Sequence, residues 1–139
     1  MPLDFRNAAE GHLDDAEYLL EGTRLANADH LFGVSAECGL KAVMVGLGMR
    51  IINNKPEKVF LIHIEKLWSE FITFAHSRDG ARYASILSKK TPNPFGDYDI
   101  NQRYNSRADI TLPVVQNHHQ AAKTVKEALD AALLDGVVK

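Results

Sequence analysis

His30, Glu37 and Lys41 stand seven and four residues apart within one apolar segment, ANADHLFGVSAECGLKAVMVGLG, running from Ala26 to Gly48. On a 3.6-residue helix these steps return to one face, inside a sector of about 60° that also holds Val34. An imidazole, a carboxylate and an ammonium aimed the same way from a buried helix can move a proton, hold an anion or simply pair. Ionised groups taken out of water cost several kcal/mol each unless partnered, so the stripe demands company from elsewhere in the fold. A second set of polar side chains lies far along the chain. The stretch KKTPNPFGDYDINQRYNSRADITL, residues 89–112, interleaves aromatics with arginines, including Arg103 and Tyr104. A guanidinium can grip phosphate in two places at once and a neighbouring tyrosine can stack on a base.

Two readings of each set stay open. Glu37 and Lys41 either form an i,i+4 ion pair on a helix edge, stabilising it by a few tenths of a kcal/mol, or join His30, Arg103 and Tyr104 around a polar pocket. Arg103 and Tyr104 either fasten their own loop to the protein or contact a ligand.

Other side chains that could do chemistry read more plainly. His12 and His118 fall on apolar stripes and are expected to be neutral core histidines bonded to carbonyl oxygens. His63 precedes a helix and is placed to cap it. His118 and His119 are adjacent, so they diverge by about 100° on a helix and have no carboxylate at matching spacing on that turn to complete a metal site. No glutamate is followed by histidine three residues later, which sets aside a carboxylate di-iron bundle. Cys38 lacks an activating base and reads as a small buried thiol, while Trp68 and Phe71 read as core. No phosphate-binding glycine loop, serine elbow or zinc-protease helix is present in the sequence. Neither a metal nor a cofactor is expected.

The elements that must position these groups are helical throughout. Phe5, Ala9, His12, Ala16, Leu19 and Leu20 share one side of a first helix, about Asp4 to Thr23. The Ala26–Gly48 helix follows after two or three residues, so the two form an antiparallel hairpin. Asn53, Asn54 and Pro56 make a loop. A third helix runs from Ile64 toward Asp79-Gly80, and a short fourth spans about Ala81 to Ser88. The last opens at Pro113, with Thr111 as its candidate cap, and carries a stripe from Val114 to Leu133. No segment alternates long enough for a strand. The expectation is an all-α antiparallel bundle of four to five helices, one domain over residues 1–139, with a long loop before the last helix.

The formal net charge of −2, from 16 basic and 18 acidic residues, offers no global attraction to a polyanion, so any nucleic-acid contact must be a local patch. A single cysteine excludes a disulfide framework and points to a reducing, cytoplasmic setting. The acidic first residues do not look like a signal peptide. The one long apolar segment contains Asp29, Glu37 and Lys41, which argues for a core helix over a membrane span.

The stretch RNAAEGHLDDAEYLLEGTRLANADHLFGVSAECGLKAVM, with HIEKLW and QRY after it, resembles the HEPN superfamily of small prokaryotic helical domains. That resemblance implies a homodimer. It also implies either a metal-independent ribonuclease, often a toxin or defence protein, or a relative that has lost catalysis and binds RNA, a nucleotide or a protein. Active members carry an arginine followed after four to six residues by a histidine late in the fold, the histidine moving a proton and the arginine stabilising phosphorane charge. Here the corresponding positions after Arg103 are Ala108, Asp109 and Ile110, and those after Arg107 are Leu112, Pro113 and Val114. The expected function is therefore a non-catalytic module binding through Glu37, Lys41, Arg103 and Tyr104. Two alternatives remain: a ribonuclease in which Arg103 works with His30, and a purely structural interaction protein.

Overall fold

The computed structural model describes residues 2–90 and 92–139. Five helices follow in order: α1 (Phe5–Glu21), α2 (Leu25–Gly46), α3 (Ile64–His76), α4 (Ala81–Ser88) and α5 (Leu112–Leu134). The all-α bundle expected from hydrophobic spacing is the observed architecture. α2 lies at its centre, packed on α1, α3 and α5, while α4 rests against α3 and α5. Such centrality explains why α2 is apolar on almost every side, since each neighbour covers a different part of its circumference.

Local sequence accounts for the helix boundaries. The Asp4 carboxylate accepts from the Asn7 amide at 3.0 Å and caps α1. α1 ends at Gly22, and Thr23 then takes a left-handed conformation with φ of 57°, which turns the chain back within three residues. α5 starts with Pro113 in its first turn, where a missing N–H costs nothing. Thr111 does sit at the cap position, but its hydroxyl bonds no amide there, and the same holds for the His63 side chain at α3.

Regular structure between the helices is slight. Ile51–Ile52 (β1) and Lys55–Pro56 (β2) pair antiparallel around Asn53-Asn54, both at positive φ, a hairpin too short for its pattern to show in sequence. Two 3-10 turns, Ile100–Tyr104 and Arg107–Asp109, occupy the long connection before α5.

Phe32, Leu40, Met44, Trp68, Phe71 and Leu129 are among the fully buried side chains, each contributing about 1.5–3 kcal/mol by leaving water. Phe95 and Tyr98, from the long connection, are also buried, so that segment is part of the core. Gly33 makes this possible: a Cβ there would clash with the Tyr98 ring carbons, and the Tyr98 hydroxyl donates to the His30 carbonyl at 3.0 Å.

Candidate functional site: an arginine-lined cleft and the network behind it

A cleft of about 510 Å³ opens where the α1–α2 turn faces residues 102–107. Arg24, Asn27, Gln102, Arg103, Asn105 and Arg107 are among its lining residues, and no carboxylate is. The strained turn places Arg24: its amide bonds the Leu19 carbonyl at 2.8 Å and Thr23 bonds Leu20, so the residue is fixed at the mouth of α2. The guanidinium groups of Arg24 and Arg107 make no hydrogen bond or ion pair with any described residue. Arg103 donates to the Ile100 carbonyl at 2.8 Å, and its guanidinium carbon sits 4.6 Å from the centre of the Tyr104 ring. That ring is 76% exposed, so one face is free to stack. α2 has no side-chain cap and no acid in its first turn, and the amides of Leu25, Ala26 and Asn27 are left without backbone partners. Unsatisfied donors at the start of a 22-residue helix add partial positive charge to the same cleft.

His30 lies behind Arg103. Burial, the Arg103 charge and the nearby His12 together lower its pKa, against the opposing pull of Asp29. Its ring is therefore neutral at physiological pH, with a buried Nδ1 that has no partner among the described residues.

Glu37 and Lys41 are elsewhere. Lys41 is almost fully buried, its ammonium 3.0 Å from Glu37 Oε2 and 3.1 Å from the Ile62 carbonyl, while Glu37 Oε1 meets His63 Nδ1 at 2.9 Å. The pair thus fastens the approach to α3. It lines none of the described cavities, so of the sequence-derived set the structure joins Arg103 to Tyr104 and Glu37 to Lys41, while His30 feels the Arg103 charge without lining the cleft.

The departure from expectation is at His118. Its ring meets two carboxylates: Nδ1 is 2.6 Å from Asp29 Oδ1 and Nε2 is 2.7 Å from Asp97 Oδ1. Ionised carboxylates only accept, so both ring nitrogens must donate and the ring is an imidazolium, where sequence spacing alone suggested a neutral ring on a carbonyl. Burial opposes that charge, yet the hydrogen bonds and charges of Asp29 and Asp97 outweigh it and raise the pKa. Phe95 stacks on the ring with centroids 5.0 Å apart, and Tyr98 meets it edge-on at 5.8 Å. The second Asp29 oxygen accepts from Gln102 Nε2 at 2.5 Å. The neighbouring His119 stacks on Phe32 and bonds Glu17 at 2.8 Å.

The chain matches no family model, no curated protein and no solved structure. What chemistry the chain offers lies in the cleft. Its donors suit an anion with several oxygens, and His30 is the imidazole near Arg103 that could take up a proton. Cys38 supplies no nucleophile, because burial and the Glu37 charge push its thiol up to about 11. Among the described residues no group of three or more His, Cys, Asp or Glu side chains is arranged to hold a metal ion, and no helix is long and apolar enough to cross a membrane.

Asp29, Asp97 and Gln102 build the network around His118, and no sequence spacing singles them out. A signal existed: an aspartate inside an apolar helix and a histidine on an apolar stripe each need a partner, but 89 residues separate them and nothing local connects the two.

Proposed function

We propose that the chain is a HEPN-like, non-catalytic module that binds single-stranded RNA in the cleft between the start of α2 and residues 102–107. The observation that carries this reading is the convergence of Arg24, Arg103 and Arg107 on one cleft free of lining carboxylates, in a chain whose net charge is −2. Guanidinium groups left without intramolecular partners are matched to phosphate oxygens, and Tyr104 offers a base-stacking face beside them. Fluorescence anisotropy with a labelled single-stranded RNA in EDTA tests it. Binding without cleavage is expected, weakened about tenfold or more in Arg103→Ala and in Arg24→Ala, the scale of one charge-assisted contact. Equal affinity in both variants would refute the cleft as the site.

The second reading, a metal-independent ribonuclease, is favoured by His30, which burial and the charges of Arg103 and His12 keep neutral, so that it can accept a proton. Cleavage in EDTA that disappears in His30→Ala would establish it and displace the non-catalytic reading. The third, a protein-interaction module, and the homodimer draw support from the far end of α2. There, exposed Leu3, Val45 and Ile51 surround a cavity of about 310 Å³, and an apolar rim of this kind suits a second copy. Light scattering that returns the monomer mass at working concentration would remove the dimer. The lone, unreactive cysteine fits a cytoplasmic location.

A further inference from the structure

The segment that delivers Arg103 to the cleft is fastened at spaced points. Asn93 donates to the Glu65 carbonyl at 2.9 Å, Phe95 fills the space between Trp68 and His118, and Tyr98 reaches the His30 carbonyl. Asp97 meets His118 and Gln102 meets Asp29, one residue before Arg103. Of these fastenings, Asp97 bonds the ionised ring directly, Gln102 reaches it through Asp29, and Phe95 and Tyr98 pack on it. We propose that Asp29, His118 and Asp97 form a protonation-dependent latch on residues 93–104, whose opening loosens the segment that carries Arg103 to the cleft and weakens the hold of the cleft on RNA.

With an imidazolium present, both contacts are N–H donors against carboxylate acceptors. When the ring gives up one proton to solvent, a single N–H remains, and one carboxylate is left facing a lone pair. Asp29 is fully buried, has no access to water and is also held by Gln102, so it retains the remaining N–H on Nδ1. The Asp97 side chain is 56% exposed and can be hydrated, so it is the contact that breaks. It shares a surface pocket of about 460 Å³ with Lys89 and Lys90, cations that attract the released carboxylate outward. Phe95 lies two residues before Asp97 and Tyr98 directly after it, so the departure of Asp97 loosens the aromatic contacts that carry the segment toward Gln102 and Arg103.

Other charged groups around the ring do not duplicate this switch. From α2, besides Asp29, comes His30, whose lowered pKa places its titration on the acid side. From the long connection comes Tyr98, whose hydroxyl is pushed far up by burial and by Asp29, with Glu37 and Glu65 adding to it. Glu17 of α1 is engaged by His119. The His118 proton, held by two carboxylates against the cost of burial, leaves above its ordinary range. The latch is thus closed below the ordinary histidine range and opens as pH rises through the raised His118 pKa.

This inference rests on the RNA reading only for its consequence at the cleft, so two measurements are made on the full chain across a neutral-to-alkaline series at constant ionic strength. Amide hydrogen exchange of residues 93–104, normalised to α1 and α2 peptides, reads the latch; anisotropy with labelled single-stranded RNA reads the cleft. Protection of 93–104 is expected to fall with the midpoint of the His118 ring signals by NMR, and RNA affinity to fall about tenfold over the same interval. Asp97→Asn, a change at an exposed side chain, should move that midpoint down by about one unit or more. His118→Gln should leave the segment unprotected at every pH. Unchanged protection through the His118 titration, or an unmoved midpoint in Asp97→Asn, overturns the latch whatever the RNA result. A clear step in exchange with no RNA bound at any pH leaves the latch in place and refutes the RNA reading instead.

Discussion

A buried imidazolium between two aspartates is costly to disturb from one side only. Removing one partner of a buried ion pair leaves the other charge stranded, and such losses are about 3–5 kcal/mol. Asp29→Asn should therefore lower stability in urea by about that amount, whereas Asp97→Asn, at a half-exposed carboxylate, should cost far less. The pH dependence has a definite sign. Because His118 has a raised pKa in the folded chain, its contribution is complete below the ordinary histidine value of about 6.5 and fades as pH climbs through the raised one. Urea midpoints should thus decline toward alkaline pH in the native chain and lose that slope in His118→Gln. Gly33 offers a different test at the same scale. Gly33→Ala puts a methyl where the Tyr98 ring lies, so the ring must leave, and a loss of several kcal/mol is expected although alanine favours helix by about 1 kcal/mol. A gain in melting temperature would show that Tyr98 is not seated there.

Among the elements, the five helices were legible in the sequence because each has a buried stripe, and α1, α2 and α4 end within two residues of where spacing places them. α3 stops at His76, short of the Asp79-Gly80 signal, since Ser77 and Arg78 close its last turn with bonds back to Thr73 and Ala75. The long connection was legible as unusual but not in its role. Its Pro, Asn and Gly suggest a surface loop, while Phe95 and Tyr98 are buried by contacts with α2, α3 and α5 that no local pattern encodes. The Glu37–Lys41 pair was visible as an i,i+4 spacing, but its partners, His63 and the Ile62 carbonyl, come from the irregular approach to α3. Lys41→Ala should for that reason act on an element beyond its own: about 3 kcal/mol of stability lost, with faster amide exchange at the start of α3. Exchange altered only within α2 would argue against this anchoring role.

For the molecule as a whole, charge is arranged by place more than by amount. Three cleft arginines in a chain of net charge −2 set the salt dependence expected of binding. With about three phosphates neutralised on a single strand, log affinity should fall against log salt with a slope of about −2. A slope near zero would mean that the RNA contacts lie outside the cleft or are not ionic. α2 spans the whole arrangement, with the arginine cleft at its first turn and the apolar cavity at its last, so an occupant of one end need not crowd an occupant of the other. The spacing of the fastenings along residues 93–102 also determines how the protein responds to cutting. Lys89 and Lys90 precede the first fastening, and Arg103 and Arg107 follow the last, all four exposed. A protease that cleaves after basic residues meets its targets on both sides of an anchored stretch and none inside it. Nicked at both ends, that stretch stays seated by Phe95, Asp97, Tyr98 and Gln102, a non-covalent plug that denaturing electrophoresis separates and native electrophoresis does not.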